Sequence, residues 1–250
     1  MTAASRSANG FVWYELLSED PAAAADFYSA VTGWTPKVSE MPGMDYTVFH
    51  RDDDTAAAGL MAMPAEAKAG GARPAWTGYV HVDDTDAAVA AFVEAGGQVI
   101  VPAMEVPQVG RFATLADPQG AAIAVMHFEG GDEANTGRSD PAICPWRELH
   151  GTDGKAAFDF YTSVFDWKAA GEMDTPAGPY RMFSAGGEEM AGGMMTKMHD
   201  GPPFWLYYFA VPALNAAVAA ATGRGAKVMR EAMEVPGGSW IAQLVDPEGA

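Results

Sequence analysis

The chain is written twice. Ala103-Met104-Glu105-Val106-Pro107, with Asp117-Pro118-Gln119-Gly120-Ala121 ten residues further on, returns as Ala232-Met233-Glu234-Val235-Pro236 and Asp246-Pro247-Glu248-Gly249-Ala250. Both halves of the pattern are displaced by the same 129 residues. Matched spacing across a variable segment marks a tandem repeat, whose copies are supersecondary units that bury their apolar faces against one another. Earlier landmarks agree: Trp146, Glu148, Phe160, Tyr161 and Trp167 each lie 133 residues after Trp13, Glu15, Phe27, Tyr28 and Trp34. Trp205 and Tyr208 follow Trp76 and Tyr79 by 129. Whatever this chain folds into, it must build it twice.

Periodicity supplies the elements of one copy. Trp13 to Leu17 alternates as a strand, with Trp13, Glu15 and Leu17 on one face. Asp20-Pro21 caps and opens a helix whose stripe is Ala24, Phe27, Tyr28 and Val31, and Gly33 closes it. Tyr46 to His50 and Gly59 to Met63 read as strands, with room for another between Trp34 and Ser39. After a Gly/Ala/Pro-rich connection from Glu66 to Pro74, the order begins again. Trp76 to Val82 is a strand with Thr77, Tyr79 and His81 on one face, and Asp84 or Thr85 caps a helix with the stripe Val89, Phe92, Val93. Strands follow at Gln98 to Val101, Arg111 to Leu115 and Ala121 to Phe128, the last two joined by the Asp117-Pro118-Gln119-Gly120 turn. Residues 129–141 are polar, glycine-rich and aperiodic, an inter-domain linker. Domains are therefore expected at 10–128 and 142–250, the second stopping one strand short of the first.

Composition narrows the partners. With 33 acidic against 15 basic residues the formal charge is −18, which repels nucleic-acid phosphates and anionic membranes. No apolar run reaches membrane-spanning length, and Met1 to Gly10 carries no secretory signal, so a cytoplasmic protein is expected. The lone Cys144 excludes an intrachain disulfide and reads as a buried, inert thiol.

Four units of strand, helix and strands, paired two to a domain, resemble the vicinal oxygen chelate superfamily of glyoxalase I, extradiol dioxygenases and bleomycin and fosfomycin resistance proteins. The likeness rests on Phe27-Tyr28 with Gly33-Trp34 behind it, on Val82-Asp83-Asp84 before an alanine-rich helix, and on the Asp117-Pro118-x-Gly120 turn. These recur at Phe160-Tyr161, Trp167 and Asp246-Pro247-Glu248-Gly249. The resemblance implies an α+β fold of tandem glyoxalase-like domains, each of two βαβββ modules curled into an open barrel around a pocket. It also implies, where a divalent metal is present, ligands at the first and last strands. In this chain those positions fall on Trp13, Thr77 and Ala124 in the first domain and on Trp146 and Leu206 in the second. Indole, methyl and isobutyl groups cannot chelate a hard cation.

What alternation leaves facing inward is aromatic with a few polar groups. Glu15 and Glu148 share the face of the tryptophans, Tyr79, His81 and Tyr208 come from the second modules, and His150 stands beside Glu148. Glu15 and Glu148 are candidate catalytic carboxylates; Trp13, Tyr79, His81, Trp146, His150 and Tyr208 are candidate ligand-binding residues. The alternative is structural: the glutamates pair with Arg111 or Arg147 and the aromatic residues are core. His50, His127 and His199 show no metal spacing, Asp52 to Asp54 reads as a solvated turn, and Met190, Met194, Met195 and Met198 as flexible packing or an adaptable pocket wall. The expectation is a monomer or homodimer that binds an apolar or aromatic small molecule in its barrel pockets, with no cofactor. The alternative is a metal-dependent lyase, isomerase or dioxygenase with a displaced site.

Overall fold

The computed structural model describes residues 9–39, 45–129, 142–187 and 189–250. The first copy runs β1 (Phe11–Ser18), α1 (Pro21–Thr32), β2 (Thr35–Val38), β3 (Tyr46–His50), β4 (Ala56–Ala62), α2 (Ala65–Ala69), β5 (Ala75–His81), α3 (Thr85–Glu94), β6 (Gln98–Val106), β7 (Gly110–Ala116) and β8 (Ala122–Phe128). The second runs β9 (Trp146–Gly151), α4 (Gly154–Phe165), β10 (Lys168–Thr175), β11 (Gly178–Ser184), β12 (Met190–Thr196), β13 (Phe204–Tyr208), α5 (Leu214–Thr222), β14 (Lys227–Glu234) and β15 (Trp240–Val245). The fold is α+β, two copies of strand–helix–strands as the repeat demands. One sheet has the order β2-β3-β4-β1-β5-β8-β7-β6, a second β10-β11-β12-β9-β13, and β14 pairs with β15. Most of the linker segment, residues 130–141, lies outside the described residues.

The first helix shows why these boundaries hold. Asp20 accepts the Ala23 amide at 3.1 Å, Pro21 occupies the first turn where no amide is needed, and Gly33 closes the helix at φ 81°. Its buried stripe is Ala24, Phe27, Tyr28 and Thr32 rather than one ending on Val31. Thr32 tolerates burial because its hydroxyl donates to the Tyr28 carbonyl at 2.7 Å and accepts the Trp34 amide at 3.1 Å. In α3 only Thr85 and Phe92 are buried, and Val93 is 45% exposed. The repeated Ala103-Met104-Glu105-Val106 segment is no loop: it continues β6, with Met104 opposite Phe112 and Glu105 opposite Arg111. The Gly/Ala/Pro-rich connection holds one short helix, α2, with no buried residue.

The chain divides into two compact units, and each draws on both copies. One comprises Met1–Trp13 and Thr77–Tyr207, the other Tyr14–Trp76 and Tyr208–Ala250. In the first, Phe92 is fully buried against Phe160 at 4.8 Å and near Tyr161 and Phe165, while Trp167 stacks on Phe183 at 4.5 Å. Phe11 packs against Trp167, Trp205 and Tyr207. Gly78 lets Tyr207 in: its amide donates to the Tyr207 hydroxyl at 2.7 Å, and a Cβ there would meet that ring at 2.7 Å and Phe11 at 2.9 Å. In the second unit Phe209 is ringed by Tyr14, Trp34 and Trp76.

Each unit also holds one buried tyrosine opposite the aspartate of an Asp-Pro-x-Gly turn. In the second unit Tyr28 accepts from the Trp76 indole at 2.9 Å and donates to Asp246 Oδ2 at 3.0 Å. Asp246 Oδ1 accepts the amides of Glu248, Gly249 and Ala250, and Glu248 accepts from the Ser18 hydroxyl and the Glu19 and Asp20 amides. In the first unit Tyr161 accepts from the Trp205 indole at 3.1 Å and stands beside Asp117, whose Oδ1 accepts the Gln119 and Ala121 amides. Burial first, and the neighbouring aspartate second, push both tyrosine hydroxyls well above the usual phenol range.

Tyr28→Phe removes one buried donor and one acceptor at once. A loss of about 1–3 kcal/mol is expected, read as a lower urea midpoint at unchanged slope. The pH dependence has a definite sign. A hydroxyl that resists ionisation when folded binds more protons than the unfolded chain does above about pH 10. Its contribution is therefore complete below that pH and declines as the pH rises further. Tyr28→Phe should flatten the alkaline limb of a stability–pH curve.

Candidate functional site

The β9 strand carries Glu148, a part-buried carboxylate bonded to two side chains. Alternation puts Arg147 and Leu149 on one face, both buried, and Trp146, Glu148 and His150 on the other. The parallel register with β12 sets Gly193 beside Glu148 and Met195 beside His150. Tyr180, from β11, lies across Gly193, where any Cβ would collide with the phenol ring. That close approach brings Tyr180 to the carboxylate. Its hydroxyl donates to Glu148 Oε2 at 3.0 Å and accepts from the Trp146 indole at 2.7 Å. The other carboxylate oxygen, Oε1, takes His150 Nε2 at 2.6 Å. Glu148 and His150 side chains keep 12% and 13% of their surface exposed, so the pair is covered but reachable.

Rings close over His150. Phe204 stacks on it at 4.9 Å with planes 4° apart, and His199 lies 6.0 Å away, itself 5.3 Å from Phe204. His199 Nδ1 accepts the Gly201 amide at 3.1 Å. Burial, then the His150 and Lys197 charges, lower the His199 pKa against an opposing pull from Asp200. Phe204, 37% exposed, forms an apolar rim beside His150.

The first copy repeats part of this. Glu15 pairs in register with Gly59 and accepts from the Tyr46 hydroxyl at 2.9 Å. The position of His150 is held there by Leu17. The two copies are thus decorated unequally.

Of the residues singled out in the sequence, the structure gathers Trp146, Glu148 and His150 into one cluster. Tyr79 packs on Phe112 and sits in register with Ala124; His81 is 8% exposed and stacks on Phe128 at 6.3 Å. Tyr208 takes the Gln243 amide at 2.5 Å. Trp13 is 9% exposed. Arg111 goes to Asp86 and Glu105 on the surface, and Arg147 to the Ala191 carbonyl and the face of Phe11. Sequence reasoning missed Tyr46 and Tyr180, the phenols that reach the carboxylates. The two lie 134 residues apart, one more than the 133 of their surroundings, so a fixed displacement passes over them.

The positions to which the resemblance assigns metal ligands, Trp13, Thr77, Ala124, Trp146 and Leu206, carry neither imidazole nor carboxylate. Among the described residues no three His, Cys, Asp or Glu side chains gather as a cage for a metal ion. Glu148 has both oxygens engaged by organic donors.

The family model of the Glyoxalase/Bleomycin resistance protein/Dioxygenase superfamily matches residues 10–125 and 148–250. CFP32 of Mycobacterium bovis, provisionally named a glyoxylase, is 33% identical over 241 residues, covering 95% of this chain and 91% of that protein. The anthracycline biosynthesis protein DnrV of Streptomyces peucetius is 35% identical, covering 95% and 90%. The Mn(II)-bound glyoxalase from Novosphingobium aromaticivorans shares the fold, with a TM-score of 0.64 at 17% identity over 97% of this chain and 80% of that one.

Gly193→Ala should force Tyr180 off Glu148. About 1–3 kcal/mol of stability is expected to go, as for overpacking generally. Tyr180→Ala in the Gly193→Ala background should cost less than it does alone, a non-additivity that a double-mutant cycle on thermal unfolding detects.

Proposed function

Because the chain belongs to the glyoxalase/bleomycin resistance protein/dioxygenase superfamily, we propose that it uses the superfamily's pockets to bind an apolar or aromatic small molecule, without the superfamily's metal. The observation that carries this reading is the state of Glu148. A carboxylate that accepts from His150 at 2.6 Å and Tyr180 at 3.0 Å, with Trp146 holding the phenol, is a hydrogen-bonding hub and not an open ligand for a cation. Around it stand Trp146, Phe204 and Met195, the apolar wall with a few placed polar groups that small-molecule sites favour. Glu15 with Tyr46 is the simpler counterpart in the first copy. DnrV and DauV, both named for anthracycline biosynthesis, support an aromatic ligand, since anthracyclines are fused-ring compounds.

Titration with alizarin and with naphthalene, followed by quenching of tryptophan fluorescence, tests the reading. Binding is expected to survive exhaustive chelation unchanged and to weaken about tenfold in Trp146→Ala, the scale of one lost aromatic contact. Binding that appears only on adding Mn(II) or Fe(II) overturns it in favour of a metal-dependent enzyme.

A further inference from the structure

We infer that Glu148 and His150 form a proton-accepting dyad, and that the ligand they serve is a ring compound bearing a weakly acidic hydroxyl. The inference rests on the proposed aromatic ligand and adds a chemical step to it.

Three features of the cluster carry it. The first is the tautomer. His150 Nε2 lies 2.6 Å from Glu148 Oε1, an acceptor, so the ring proton belongs on Nε2 and the lone pair of the neutral imidazole on Nδ1. Among the described residues no hydrogen bond is recorded to that Nδ1, and Phe204 stacks on the ring face and so holds its plane. The second is the chain of donors behind the carboxylate: Trp146 to Tyr180 to Glu148. It keeps Glu148 oriented behind the imidazole, the part an orienting acid plays behind a basic histidine. The third is His199. Its Nδ1 accepts the Gly201 amide, which leaves the proton of its neutral form on Nε2. With its pKa lowered by burial and by His150, His199 stays a neutral donor when His150 gains charge. One imidazole thus offers a lone pair and its neighbour, 6.0 Å away between ring centres, offers an N–H.

An apolar rim around a base and a neutral donor is complementary to a hydroxyl that can become an oxyanion. In the step, the ligand O–H bond breaks and an N–H bond forms at His150 Nδ1. The negative charge stays on the ligand oxygen, within reach of the His199 donor, and the positive charge on His150 faces Glu148. Nothing is oxidised or reduced. The charged and titratable groups around the dyad are Glu148 on its own strand, Tyr180 on β11, and His199, Lys197 and Asp200 after β12. The matching position in the first copy is Leu17, which carries no base.

The probe is 4-nitrophenol, whose anion absorbs visible light and whose neutral form does not, with its methyl ether 4-nitroanisole as a control that has no proton to give. Full-length protein is titrated at a pH just below the phenol's own pKa, while tryptophan quenching reports binding of either compound. The expected result is binding of both, with growth of the phenolate band for 4-nitrophenol. In His150→Phe, checked for native thermal unfolding, the phenolate band per bound 4-nitrophenol, with occupancy read from tryptophan quenching, falls about tenfold or more, one pKa unit being a factor of ten. Glu148→Gln should reduce the band in the same direction. Binding of both compounds without a phenolate band, or a band undiminished in His150→Phe, overturns the dyad and leaves the binding proposal standing. Failure of both compounds to bind overturns the dyad together with that proposal for single-ring ligands.

Discussion

A buried phenol facing a turn aspartate organises this molecule. In the second unit Tyr28 ties helix α1, from the first copy, to the Asp246 turn, from the second. In the first unit Tyr161 on α4 stands in the same relation to Asp117. Each tyrosine is also held by a tryptophan of strand β5 or β13. The aspartate meanwhile spends its other oxygen on the amides of its own tight turn. One side chain therefore shapes a turn locally and meets a helix of the other copy, 218 residues away for Asp246. Such a group cannot be satisfied by either copy alone, since a bare carboxylate buried among aromatic rings is costly. The compact units accordingly draw on both copies, although the sequence divides at the linker.

The repeat itself was legible because duplicated cores keep their apolar and turn residues. Trp, Phe-Tyr and Asp-Pro-x-Gly fall at constant displacement, and strands and helices followed from alternation and capping. Where the reading slipped, a local tertiary contact had displaced a rule of thumb. Thr32 replaced Val31 in the buried stripe because its hydroxyl found two backbone partners. Val93 is exposed because Phe92 alone fills the space against Phe160. The strand expected over Gln98 to Val101 runs on through the repeated Met-Glu segment to Val106.

The site was half legible. Period two put Trp146, Glu148 and His150 on one face, and the structure keeps them there. What one strand cannot reveal is which side chain reaches in from the next. Tyr180 arrives from two strands away, over a glycine whose only sequence trace is the absence of a side chain. Its counterpart Tyr46 is out of step by a single residue. Phe204 and His199 come from the edge of another strand and the turn before it, where no periodicity operates. Pairing with arginine, the expected structural role for the glutamates, gives way at Glu148 to a phenol and an imidazole.

Gly78 and Tyr207 are the same position of the repeat, 129 residues apart, and they touch. A position that contacts its own copy lies on the symmetry axis of a duplicated structure. In a symmetric pair of identical chains such a position must hold the same residue twice: two glycines would leave a void where the phenol now sits, and two tyrosines would compete for one space. Divergence to one large and one absent side chain fills that space once. Fusion of the copies into a single polypeptide is what permits the choice, because only then can the two sides of the axis carry different letters. Gly78 and Tyr207 are thereby a complementary pair that identical letters at the two positions would not reproduce.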